Sequence, residues 1–143
     1  DHYNLVYREE EREMVPLCLE EGLGILPWSP LARGLLAGGR RSGEPDGTAR
    51  SASDDYTPRL YDQPGDDDVI AATRAVAEAR GVSMAEVALA WLLARPGVTA
   101  PIVGATRMEH LDTAVKALDL ELTADECTSL EAPYRPHDVR GFH

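Results

Sequence analysis

The feature that most constrains this chain is the alternation of short apolar runs with amphipathic helical segments. Three runs have the character of strands: Tyr3–Tyr7, Gly24–Trp28 and Val98–Val103. The last two are apolar on successive residues, as in strands covered on both faces. After the first run comes an acidic stretch, Glu9–Glu13. Met14, Leu17 and Cys18 then recur at helical spacing, with Pro16 near the helix start and Gly22 and Gly24 closing it. From Leu31 to Gly65 the pattern breaks into a long glycine-rich loop, a feature more often functional than decorative. Helices then return. Asp66–Asp68 put carboxylates at the start of a run through Arg80, which Gly81 stops. Ser83-Met84-Ala85-Glu86 reads as a capping box with Val82 and Val87 as its staple, and Met84, Val87, Ala88 and Trp91 form its apolar stripe. Thr106–Glu109 and Thr123–Glu126 read as two further boxes. The first of these opens a helix with Leu111, Ala114, Val115 and Leu118 on one side. The tail from Pro133 to His143 has no period.

Alternating strands and helices predict a parallel sheet covered by helices, an α/β fold. Three strands alone would leave both sheet edges open, which natural sheets avoid. More strands are therefore expected upstream, and the opening at Asp1 rather than Met agrees with that. A net charge of −11 argues against a nucleic-acid partner, since phosphate backbones bind basic surfaces. It leaves room for a small anion held by local arginines. No apolar run approaches the roughly 18 residues of a membrane span, and no signal peptide is present. Cys18 and Cys127 fall on expected helices without metal-ligand spacing, and read as two buried thiols in a reducing cytoplasm.

The string Trp28-Ser29-Pro30-Leu31-Ala32-Arg33-Gly34-Leu35-Leu36-Ala37-Gly38 resembles the loop after the seventh strand of aldo-keto reductases, most closely bacterial members and potassium-channel β subunits. Three further stretches resemble that family in the same order. Tyr3-Asn4-Leu5 with Arg8-Glu9-Glu10-Glu11 is similar to the sixth strand and its helix. Val87–Leu93 is similar to the helix before the eighth strand, and Pro101–Thr106 to that strand and its cofactor turn. The resemblance covers nearly the whole chain. It implies the C-terminal portion of a (β/α)8 barrel, about the last three βα units, with ligands at the carboxyl ends of the strands.

By the same resemblance the chain carries much of a site for NADP. Trp28 would stack on the nicotinamide ring; the plainer reading is a core tryptophan. Ser29, Pro30, Leu31, Ala32 and Gly34 would approach the pyrophosphate with short side chains and free backbone N–H groups, although a glycine-rich loop by itself is a plain turn. Gly104 and Thr106 would meet the 2′-phosphate at a helix N-terminus, where Thr106 reads equally as a simple N-cap. His110 takes a position that often contacts that end of the cofactor, or is a lone surface histidine. Arg50, in preference to Arg40 or Arg41, would clamp the pyrophosphate from the long loop, its fork matching phosphate oxygens. Many relatives have Glu-Asn in place of Thr113-Ala114 at the adenine, and this departure weakens the expectation there. NADP and NAD are not separated by these residues.

The family's catalytic tyrosine, lysine, aspartate and histidine come from the N-terminal part of the barrel. Tyr3, Tyr7, Tyr56, Tyr61 and Tyr134 do not match that tyrosine's motif, and no catalytic residue is assigned. A glutamine that usually faces the nicotinamide amide would fall just before Asp1. Two functions fit. One is an NADP-dependent reductase of a small carbonyl substrate, represented here by its cofactor-binding part. The other is a non-catalytic module that senses the cofactor.

Overall fold

The structure is a computed structural model that describes residues 1–38 and 60–138. Five α-helices lie among the described residues: α1 (Met14–Glu20), α2 (Asp66–Arg80), α3 (Met84–Leu93), α4 (Met108–Lys116) and α5 (Ala124–Glu131). A 3₁₀ turn over Glu9–Glu11 precedes α1, and a longer irregular one spans Ala32–Ala37.

The expected strands are reduced to isolated parallel bridges among the described residues: His2 with Trp28, Trp28 with Ile102, and Ile25 with Val98. The pairing is parallel, as the alternation implied. Its cover is one-sided, however, which corrects the reading of two fully buried strands. Ile25 is 1% exposed while Leu26 is 53%, and Ile102 is 57%. The two-residue period of extended backbone turns alternate side chains to opposite faces, and among the described residues only one face has a helical layer. The first strand is also misplaced in the sequence reading, since pairing occurs at His2 and Tyr3–Tyr7 is largely a turn. The Asn4 side-chain oxygen accepts from Val6 N and Tyr7 N, both at 2.9 Å, and the Asn4 and Tyr7 backbones bond each other. An asparagine that caps its own backbone in this way favours a turn over a ladder.

Helix α3 is the centre of the fold. Eight of its ten residues are buried, from Met84 to Leu92, as befits a helix apolar on all sides. Its start is the expected capping box: Glu86 N donates to Ser83 Oγ at 3.2 Å and Ser83 N to Glu86 Oε2 at 2.7 Å. Thr123 and Glu126 form the same box at α5. Thr106 does not. The cap of α4 is Arg107, extended and without a side-chain hydrogen bond. The apolar side of α4 is present but open, with Leu111 44%, Val115 54% and Leu118 65% exposed. Cys18 is buried as expected, whereas Cys127 is only half-buried. No helix of the described residues is long and apolar enough to cross a membrane.

On the far side, polar contacts join the two ends of the chain. Trp91, fully buried, donates Nε1–H to Glu131 at 2.9 Å, and the Arg8 and Arg95 guanidiniums lie over its ring at 5.4 and 4.9 Å. Arg95 also bonds Glu131 at 2.8 Å. Glu9 accepts from Tyr134 Oη and His137 N, both at 2.7 Å, and from Arg12 at 2.9 Å. Burial alone would raise the Glu9 carboxyl. The hydrogen bonds from Tyr134, Arg12 and His137 outweigh it and hold the group below its usual 4.5. Arg80 foremost, with the Thr123 backbone N–H, pulls Glu126 down to about 2.

Both carboxylates therefore stabilise the fold above the ordinary carboxylate value, and that contribution disappears as pH falls through their lower folded values. Urea midpoints measured against pH should drop below 4.5. Glu126→Gln should flatten the part of that decline nearest pH 2. A decline of unchanged shape in this variant would refute the assignment.

Candidate cofactor cleft

A cleft of about 520 Å³ opens at the ends of the paired segments. One wall is Trp28, Ser29, Pro30, Leu31, Arg33 and Gly34. The facing wall is Ile102 to Thr106, with His110, Thr113 and Ala114 from α4. Ser83, Ala85 and Leu89 close it from α3. The two segments singled out in the sequence thus line one cavity.

Register explains the convergence. Trp28 N donates to Asp1 O at 2.9 Å, and Ile102 N donates to Pro27 O at 2.8 Å. Trp28 thereby stands between two parallel neighbours, and the loops beyond Trp28 and Ile102 leave from the same end. Past Trp28 the backbone turns left-handed at Ser29 (φ 56), Ala32 (φ 47), Arg33 (φ 54) and Gly34 (φ 104). Left-handed non-glycine residues cost about 1–2 kcal/mol each and cluster where function holds them. Here Ala32 N bonds Ser29 O at 3.0 Å, and the Asn4 amide bonds the same carbonyl, also at 3.0 Å.

The structure places most of the expected residues on the cleft: Trp28, Ser29, Pro30, Leu31, Gly34, Gly104, Thr106 and His110. Ala32 is not among its lining residues. It is fully buried and anchors the loop from below. Arg50, Arg40 and Arg41 lie outside the described residues. Thr113 and Ala114, where the sequence departs from many relatives, are on the wall. Sequence reasoning missed Arg33 even though it stands inside the most distinctive string. The left-handed backbone that turns it out could not be read from residue types. Ser83, Ala85 and Leu89 gave no signal at all, since their helix reads as packing.

Among the described lining residues Arg33 is the one arginine or lysine and there is no carboxylate, in a chain of net charge −11. The N-terminus of α4, without a side-chain cap, lies beside Thr106 and His110 on the cleft wall. A Cβ added at Gly104 would meet nothing within 4 Å, and its backbone is not left-handed. Neither packing nor conformation requires glycine there. All three features suit an anionic, close-fitting occupant such as a dinucleotide phosphate.

Tyr61 is paired with a histidine. Tyr61 Oη lies 2.5 Å from His2 Nε2. Tyr61 is 1% exposed and does not line the cleft, and burial pushes its hydroxyl up to about 12. That is the wrong direction for a tuned proton donor, so the pair does not supply the missing catalytic group.

The chain matches the aldo/keto reductase family over residues 2–135, and it belongs to that family. Versiconal hemiacetal acetate reductase of Aspergillus parasiticus is 40% identical over 142 residues, covering 97% of this chain and 40% of that protein. An aldo-keto reductase of Fusarium vanettenii is 41% identical over 143 residues, covering 99% and 37%. The thermostable aldo-keto reductase Tm1743, solved with the inhibitor epalrestat, aligns with a TM-score of 0.65 at 25% identity, over 92% of this chain and 38% of that one. The chain spans about two fifths of the length of the curated relatives it matches.

Gly34 and Gly104 should behave oppositely on substitution. Gly34→Ala should cost about 1–2 kcal/mol, because φ 104 is a glycine conformation. Gly104→Ala should stay within about 0.5 kcal/mol, as surface changes do. Urea denaturation measures both, and equal losses would contradict the backbone described.

Proposed function

We propose that this chain is the cofactor-binding, C-terminal part of a (β/α)8-barrel aldo-keto reductase that reduces aldehydes or ketones with NADP. The observation that carries this reading is the single cleft shared by the loops after Trp28 and Ile102. The dinucleotide, when bound, supplies the hydride. The residues of this chain bind and orient it. Trp28 offers a flat apolar surface to the nicotinamide, and Ser29 to Gly34 bring backbone N–H groups and the Arg33 guanidinium to the pyrophosphate. Gly104, Thr106, His110 and the first turn of α4 face the 2′-phosphate and its adenosine. Arg50 remains a candidate clamp from the long loop. The substrate is a small carbonyl compound, and reduction takes place in the cytoplasm.

We assign no proton donor to this chain. No tyrosine, lysine or aspartate is among the described cleft-lining residues. The purified chain should therefore show no carbonyl-dependent oxidation of NADPH. Measurable turnover in a spectrophotometric assay would overturn this division of labour.

Binding is the direct test. With part of the cradle supplied elsewhere in the barrel, affinity should be in the millimolar range rather than the micromolar. Titration with NADP, followed by amide NMR, should shift Trp28–Gly34 and Gly104–His110 together. Gly104→Ala should weaken that binding about fivefold or more, comparable to losing one good contact, without loss of stability. Movement of only one segment would defeat the proposal.

A further inference from the structure

The ring that Trp28 brings to the cleft is not free-standing. His2 lies against it with centroids 4.2 Å apart and planes 15° from parallel. Tyr7 stacks on His2 in turn, at 4.2 Å and 12°, so the imidazole lies between the two larger rings. Backbone pairing sets this up. His2 and Trp28 form a parallel bridge, and opposed residues on neighbouring strands project from the same face.

In its own plane His2 is held by polar contacts. Tyr61 Oη lies 2.5 Å from its Nε2, and the Asn4 amide reaches the same nitrogen at 3.4 Å. That amide also bonds Tyr61 Oη at 3.1 Å and the Ser29 carbonyl at 3.0 Å. The network thus ties the imidazole to the first residue of the cleft loop. His2 is 4% exposed. Burial lowers its pKa well below the usual 6.5, so the ring is neutral at physiological pH. His2 does not line the cleft and meets it directly at the Trp28 ring, while its path to Ser29 runs through Asn4 and Tyr61. An indole on a broad sp³–sp² torsion needs such a backing to keep one plane.

We propose that His2 is a positioning residue that fixes the plane of the Trp28 ring for the nicotinamide end of a bound dinucleotide. The proposal rests on the cofactor reading of the cleft. It assigns the orientation of the aromatic surface to a residue outside the site, and it makes the effect local to one half of the ligand.

Two half-ligands separate this from a merely structural role. The 143-residue chain, labelled with fluorotryptophan, is titrated with nicotinamide mononucleotide and separately with adenosine 2′,5′-bisphosphate. The Trp28 fluorine signal, assigned by Trp28→Phe, reports the platform, amide shifts report the bisphosphate, and the Trp91 signal monitors the fold. His2→Ala should broaden the Trp28 signal and weaken the mononucleotide about fivefold, the scale of one lost aromatic pair, with bisphosphate affinity unchanged. His2→Phe keeps a flat ring and should restore the mononucleotide.

Parallel loss of both ligands in His2→Ala overturns the proposal, as does unaltered mononucleotide binding. If His2→Ala does not fold, His2→Phe decides: retention of the mononucleotide supports the proposal and selective loss overturns it. Should neither half-ligand bind the unsubstituted chain, the cofactor reading itself fails and takes the proposal with it. If only the bisphosphate binds, the reading of the cleft survives and the role of His2 falls.

Discussion

The parallel pairing of Trp28 on both sides is the constraint from which the rest follows. Asp1 O takes the Trp28 N–H and Pro27 O takes the Ile102 N–H, at 2.9 and 2.8 Å. Neighbouring strands sit about 4.8 Å apart, so residues just beyond a shared register leave the sheet as neighbours. Ser29 and Gly104 are such residues. Their approach to one cavity needs no long-range coincidence, only that the two hydrogen bonds form. A slip of one residue would reverse every side chain. It would carry Trp28 off His2 and away from the cleft, and expose Ile25 in place of Leu26.

Left-handed backbone at Ser29, Ala32 and Arg33 is costly unless something else holds it. Burial does so here. Ala32 and Leu36 are fully buried, Leu35 is 2% exposed, and Leu36 N reaches back to Leu31 O at 3.2 Å. With its small and apolar residues pinned inward, the loop must turn Arg33 outward. The positive charge on the cleft is thus a result of packing beneath it. In a chain of net charge −11, a wall whose described residues include one arginine and no carboxylate is a local reversal of sign, and such reversals favour anions.

How much of this was legible in the sequence depended on the range of the interactions. Capping boxes at Ser83 and Thr123 were readable because both partners lie within one helical turn. Thr106 carried the same pattern and failed. Arg107 is extended there and the helix begins one residue later, so spacing alone did not fix the cap. The strand runs were identifiable as apolar, but their exposure was not, since which face gains a helical layer is decided by the whole fold. The cleft was legible through the Trp28–Gly38 string and the Pro101–Thr106 turn. His2, Tyr61 and Arg33 were not, because each acquires its place through contacts or backbone geometry that residue types do not encode. Tyr61 meets His2 across 59 positions of sequence.

The molecule therefore has two unequal sides. Far from the cleft, Glu131, Trp91, Arg95 and Arg8 bind the chain's beginning to its end, while Leu26, the outer stripe of α4 and Ile102 of the cleft wall stay exposed. The groups that hold the Trp28 ring and the Ser29 carbonyl, namely His2, Asn4, Tyr7 and Tyr61, are buried among themselves, and each bonds or stacks within the group. Apolar surface can stay open elsewhere while this inner cluster keeps its geometry, because rigidity in a protein interior comes from close packing. A site built on such a cluster is organised in advance by the residues packed beneath it.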